Sequence, residues 1–154
     1  MAVDYIARLR SQLGQQPIQL NFAAGCIDND HGEALLQRRS DDGKWCFPGG
    51  AIEYGETAHD AVVREVGEET GLAVEVTDLL GVYTGYEHVY PNGDVTQPMC
   101  VYFRCRLVGD QTPIAGNETL DVGYFPLDDP PELSSRQHAD ALADLAAGRV
   151  GVYR

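Results

Sequence analysis

An α/β fold, a mixed β-sheet with helices packed against it, is what this chain of 154 residues predicts. Three observations carry that reading. Strand-like runs precede, separate and follow helix-like runs. The length suits one domain, large enough to bury a core without disulfide staples. No internal repeat, low-complexity tract or linker breaks the pattern, so residues 1–154 are expected to form a single domain.

The elements follow in order. Val3, Ile6, Leu9 and Leu13 recur at helical spacing before Gly14, which predicts a helix over residues 1–14. Its apolar stripe suits the core or the face of a homodimer, and both stay open. Ile18, Leu20, Phe22, Ala24 and Cys26 alternate with the period of a half-buried strand. The turn "NDHGE" leads into a second strand, "ALLQRRS", and "DDGKWCFPGG" reads as a loop ending in a Pro-Gly-Gly bend. A helix follows, from a cap at Thr57 to Thr70. "LAVEV" and "LLGVYTGYEHVY" read as strands, "PNGD" as a turn, and "VTQPMCVYFRCRLV" as a returning strand whose Pro98 favours an edge or a bulge. "TLDVGYFPL" is a short strand. A final helix is expected over residues 134–147, opened at Ser134 or Ser135 and stopped near Gly148.

Composition excludes several functions. The formal charge is -13, which gives no sequence-independent attraction for polymeric nucleic acid. The same charge repels small anionic substrates unless cations intervene. No apolar run approaches a membrane span, and "MAVDYIARLRSQLGQQP" has no continuous apolar segment of a signal peptide, so a cytoplasmic address is expected. Cys26, Cys46, Cys100 and Cys105 form no C-x-x-C pair, which argues against zinc and for small buried hydrophobes.

Chemistry concentrates between residues 49 and 72. Thr57 and Asp60 have capping-box spacing, and Gly71 suits the left-handed position that ends a helix. Val62 and Val66 would pack on the sheet, with Ala58 continuing their stripe. On a neighbouring stripe Glu65, Glu68 and Glu69 can reach one point, and Arg64 beside them is too little charge to neutralise all three. A solvated acidic face explains such a stripe, and so does a metal site. Gly49 and Gly50 just upstream favour the second reading, because residues without side chains let a backbone approach a ligand closely. Carboxylate and carbonyl oxygens suit Mg²⁺ or Mn²⁺ rather than zinc.

The stretch resembles the Nudix box at every specified position: Gly50, Glu56, Arg64, Glu65, Val66, Glu68, Glu69, Gly71 and Leu72. The resemblance extends over residues 18 to 147 and implies a Nudix-type alpha/beta/alpha sandwich with a mixed sheet. It also implies Mg²⁺-dependent hydrolysis of a diphosphate bond in a nucleoside diphosphate derivative: ADP-ribose, a nucleotide sugar, a dinucleoside polyphosphate or a (deoxy)nucleoside triphosphate. The alternative is a nucleotide sensor on the same fold without catalysis. Carried over by position, Glu65, Glu68 and Glu69 would be metal ligands with the Gly49 carbonyl as a fourth. Arg64 would orient Glu65, Glu56 would pair with Arg64, and Gly50 and Gly71 would shape the site. Members of the family use a further glutamate from a later loop, and Glu118 in "GNETLDVGYF" stands in its place, although a turn glutamate is also explained by solvent.

Specificity is carried by residues outside the box. The proline that ADP-ribose hydrolases of the family carry about sixteen residues past the box is replaced by His88. Tyr90 lies near the tyrosine of dinucleoside polyphosphate hydrolases, and either base stacking or packing accounts for it. Arg38, Arg39 and Lys44 form the densest basic group and flank the loop to Gly49, so they are candidates for phosphate contact as well as surface strand ends. His88 and His138 have no partner visible in the sequence.

Overall fold

The structure, a computed structural model, describes residues 4–154, so Val3 of the first helix lies outside them. Along the described chain run α1 (Tyr5–Leu13), β1 (Ile18–Cys26), β2 (Glu33–Arg39), β3 (Trp45–Cys46), β4 (Gly49–Ala51) and α2 (Ala58–Thr70). Then come β5 (Val74–Tyr83), β6 (His88–Val89), β7 (Val95–Leu107), β8 (Thr119–Pro126), α3 (Arg136–Ala146) and β9 (Val152–Tyr153). One sheet has the order β4-β1-β7-β5-β9 with β6 also on β7, and a second has the order β3-β2-β8. β1 runs parallel to β7, and β5 to β9, while the remaining neighbours are antiparallel. The large sheet is therefore mixed.

Side-chain alternation along the strands sets the layers, because successive residues face opposite sides. Ala23 of β1 and Leu35 of β2 join a cluster with Ala61, Val62 and Val66 of α2. Ala24 and Cys26 of β1, with Ala34 and Leu36 of β2, join a second cluster with Ala141, Leu142 and Leu145 of α3. Helix, sheets and helix stack as an α/β/α sandwich. All four cysteines are free and buried within it. α2 is closed at both ends: the Thr57 side chain accepts from the Asp60 N–H, and Gly71 ends the helix at φ 70°.

The fold departs from the sequence reading in four places. The "DDGKWCFPGG" segment contains two short strands, because Trp45 and Cys46 pair with Arg38 and Gln37 while Gly49 to Ala51 pair with β1. "LAVEV" and "LLGVY" are one strand, β5, whose register slips at Val76/Asp78 and at Leu79/Gly81 interrupt its periodicity. Pro98 sits in the central strand β7 at a gap: its β5 partner ends opposite Cys100, β6 begins opposite Thr96, and the Pro98 carbonyl accepts from Gln137 Nε2 at 3.2 Å. β9 has no counterpart in the sequence pattern, and its two residues pair with Gly81 and Val82 of β5.

α1 buries none of its residues, so its stripe does not cover the core. Arg10 anchors it instead, donating to the carbonyls of Gly14, Gln16 and Val95. No helix among the described residues is long and apolar enough to cross a membrane.

Candidate active site

The acidic stripe of α2 forms one wall of a cleft of about 720 Å³. Arg64 organises it. The Arg64 guanidinium donates twice to Glu56, from Nε to Oε1 at 2.8 Å and from Nη2 to Oε2 at 2.9 Å. Nη1 donates to Glu65 Oε1 at 2.7 Å and more distantly to Glu68 Oε2 at 3.4 Å, and Nη2 also reaches the Ala51 carbonyl. A bidentate carboxylate pair is a strong and directional charge-assisted contact, so Glu56 holds most of the guanidinium fork in place. Arg64 holds the Glu56 carboxyl below its ordinary value, chiefly through that hydrogen bond.

Glu65 behaves differently. Burial pushes its carboxyl up despite Arg64, and the nearby charges of Glu68 and Glu56 push in the same direction. Gly50 lies against this side chain so closely that a Cβ there would collide with the Glu65 carboxylate. A side chain at position 50 would push the Glu65 carboxylate out of its present place.

Glu69, one helical turn further on, is held from two sides. The Gly49 N–H donates to Oε2 at 2.8 Å, and Gln37 Nε2 donates to Oε1 at 3.1 Å. Burial pushes its carboxyl up to about 8, against the pull of the Gly49 N–H and with Glu65 and Glu118 adding to the rise. The Gly49 backbone thus meets the acidic group through its N–H. Glu68 is the exposed member, its side chain 62% accessible.

Glu118 lines the same cleft. Its segment docks on the last turn of α2, where the Gly116 N–H donates to the Glu69 carbonyl at 2.9 Å and the Ile114 N–H to the Thr70 carbonyl at 2.8 Å. A Cβ on Gly116 would overlap the Glu68 carbonyl, so this approach also requires glycine.

Of the residues expected to meet substrate, Arg39 and Tyr90 line the cleft, and Arg38 and Lys44 do not. Arg38 Nε is spent on the Gly43 carbonyl at 2.8 Å, and Lys44 pairs with Glu132 at 3.0 Å. Arg39 is gripped by Asp41, from Nε to Oδ1 at 2.8 Å, with Asp42 beyond at 3.7 Å. The acidic pair in "DDGK" is the sequence signal for that neutralisation. Tyr90 stands edge-on to His88, with ring centroids 4.5 Å apart. Phe47 is core, and Trp45 packs edge-on to Phe125.

Two cleft residues have partners that the sequence does not show. His138, in the first turn of α3, meets Tyr102 Oη through Nδ1 at 2.9 Å, and burial pushes it down to about 3. Gln37 reaches Glu69 from β2. Its only sequence signal is position: it shares the face of Leu35, two residues before it, which packs toward α2.

The NUDIX domain profile matches residues 19–145. The chain belongs to the Nudix family. An ADP-ribose pyrophosphatase of Methanocaldococcus jannaschii is 38% identical over 112 residues, 71% of this chain and 63% of that protein. A MutT-like protein of Streptomyces ambofaciens is 33% identical over 132 residues, 86% of this chain and 80% of that one. The crystal structure of an ADP-ribose pyrophosphatase from Streptococcus suis superposes with a TM-score of 0.67 at 28% identity, over 88% of this chain and 96% of that one. The chain thus spans under two thirds of the M. jannaschii relative. Its domain is a Nudix pyrophosphohydrolase domain.

Nudix hydrolases use divalent metal ions. Among the described residues the acids do not form a ready-made metal-holding group. By chemistry the residues fit such an ion. The donors are all carboxylate oxygens, the set that hard cations prefer. Glu65 and Glu69 are largely buried carboxyls raised first of all by that burial, and a cation beside them would favour their charged forms.

Proposed function

We propose that this Nudix domain hydrolyses the diphosphate bond of a small nucleoside diphosphate derivative, ADP-ribose foremost, with Mg²⁺ or Mn²⁺ held by Glu65, Glu68 and Glu69. The observation that carries the proposal is the pair of carboxyls, Glu65 and Glu69, largely buried yet held on the cleft wall by directional hydrogen bonds from Arg64 and from the Gly49 N–H. Nudix relatives named as ADP-ribose pyrophosphatases, one by sequence and one by structure, support the choice of substrate, and His88 in place of the subgroup's proline stands against it. The cleft volume is in the range of small-molecule sites and suits a nucleotide.

When bound, the divalent ion supplies charge neutralisation at the phosphoryl oxygens and acidifies a water. The remaining work falls to the chain. Arg64, fixed by Glu56, aims the Glu65 carboxylate into the cleft, where it accepts the proton of the attacking water. Glu69 is held open on the same wall by Gly49 and Gln37. Glu118, brought in by its docked loop, adds a further carboxylate as ligand or base. Arg39 lines the cleft while held by Asp41, so phosphate contact there would have to share that guanidinium, and the Tyr90–His88 pair offers an aromatic surface for the base. Four unpaired buried thiols fit a reducing, cytoplasmic address.

The test is a panel of ADP-ribose, nucleotide sugars, dinucleoside polyphosphates and nucleoside triphosphates, incubated with and without Mg²⁺ and resolved by product. AMP and ribose 5-phosphate from ADP-ribose, abolished by chelator, are expected. Preference for triphosphates would move the substrate assignment. Binding without turnover across the panel would establish a sensor instead.

A further inference from the structure

We propose that Gln37 is a positioning residue that holds the Glu69 carboxylate and the Glu118 segment in one register across the cleft wall. This rests on the catalytic reading above, and it adds a residue that lies outside the family box. Gln37 is a polar side chain in the sheet interior, 4% exposed, in the middle of β2. Its amide faces three partners. Nε2 donates to Glu69 Oε1 at 3.1 Å and lies 3.3 Å from Cys46 Sγ, while Oε1 accepts from Thr119 Oγ1 at 3.3 Å. Thr119 is itself buried and directly follows Glu118.

The geometry is directional in a way that a charged residue would not be. A carboxamide donates only from its nitrogen and accepts only at its oxygen. With the oxygen committed to the Thr119 hydroxyl, the amino group is turned to Glu69. It takes Oε1, while the Gly49 N–H takes Oε2. Both carboxylate oxygens are thereby placed, and each keeps a lone pair for a cation.

The Glu118 segment is fastened to the same helix turn through its backbone, by the Gly116 N–H on the Glu69 carbonyl. Main chain and side chain of Glu69 are therefore tied to the two flanks of Glu118, the first at Gly116 and the second through Gln37 at Thr119. Sliding either element moves both acids. Partners that orient a ligating carboxylate typically matter 10- to 100-fold in affinity or rate.

The experiment compares the wild-type chain with Gln37→Met, which keeps side-chain length and removes both hydrogen-bonding atoms. Mn²⁺ affinity, read without nucleotide by electron paramagnetic resonance, is expected to fall roughly tenfold or more. Turnover is expected to fall roughly 10- to 100-fold while KM for the nucleotide moves less than about threefold. Thr119→Val, a smaller change at the other end of the same contact, should weaken both readouts in the same direction, and Thr119→Ser should recover them. The double variant Gln37→Met/Thr119→Val should lose no more than Gln37→Met alone, since both cut one connection.

Wild-type Mn²⁺ affinity in both Gln37→Met and Thr119→Val overturns the proposal, and so does full additivity of the two. A wild-type chain that binds Mn²⁺ but hydrolyses nothing overturns the catalytic reading instead, and the Mn²⁺ comparison then decides the role of Gln37 alone.

Discussion

Two helices of this domain each bury acidic side chains, and the two sets are handled in opposite ways. On α3, Asp144 is fully buried and surrounded by donors: Tyr83 Oη at 2.7 Å, Arg149 Nη1 at 2.8 Å, and Arg154 Nε and Nη2 at 2.9 Å each. Arg154 and Tyr83, with Arg149, hold its carboxyl well below the ordinary value against the opposing effect of burial. On α2, one guanidinium serves Glu56, Glu65 and Glu68 together, and Glu69 has only neutral donors. There burial prevails and the carboxyls of Glu65 and Glu69 rise. A saturated acid ties the C-terminal strand β9 to α3, and unsaturated acids leave room for a ligand. The difference separates structural from functional carboxylates more sharply than burial does.

The largest effect expected from breaking this contrast is on rate. Glu65→Gln removes the charge and keeps the shape, so turnover should fall roughly 10²–10⁴-fold with an unchanged circular dichroism spectrum. Near-normal rates at saturating Mg²⁺ would remove Glu65 from the mechanism.

Next comes stability. Asp144→Ala leaves Tyr83 and two arginines without their acceptor. Loss of on the order of 3 kcal/mol in urea unfolding is expected, near the low end for broken buried pairs because Arg149 and Arg154 keep contact with water. Activity per folded molecule should change far less than in Glu65→Gln.

The two helices should also respond to pH with opposite signs. Asp144 is depressed, so its contribution is complete above its ordinary value of 3.8 and fades as pH falls below it. His138 adds to the acid loss: its neutral ring is favoured in the fold, so that contribution fades from 6.5 toward about 3. Glu69 is raised, so the metal-free fold weakens as pH climbs from 4.5 through about 8. Urea midpoints in chelator should show that alkaline decline in the wild type and a flatter line in Glu69→Gln. Added Mg²⁺ should reverse the decline, by about 2.7 kcal/mol at a hundred times its Kd.

The smallest effect belongs to the control. Arg106 and Glu75 pair on the surface, both more than half exposed. Arg106→Ala should stay within about 0.5 kcal/mol and leave turnover alone.

Much of the site was legible because it is local. Thr57, Asp60 and Gly71 mark the ends of α2, and a helix of known pitch places Glu65, Glu68 and Glu69 on one stripe from their numbers alone. β1, whose first half alternates, and β2, a short run bounded by turn residues, are equally readable. The bulged β5 reads as two strands in the sequence because slipped register erases the period of two. Arg38 and Lys44 looked like Arg39 in sequence, yet Gly43 and Glu132 occupy the first two while Arg39 alone reaches the cleft. Gln37 and His138 carried no signal beyond their place in a strand and at the start of a helix.

The sequence by itself determined the acidic helix, its caps, the glycines beside it and the family to which they belong, since each depends on neighbours within a turn or two. Only the tertiary structure decided which acids are neutralised. Asp144 finds Tyr83 some sixty positions away, and Glu69 finds Gln37 across the sheet. Charge compensation acts over a few ångströms in space, and the separation of partners along the chain does not encode it.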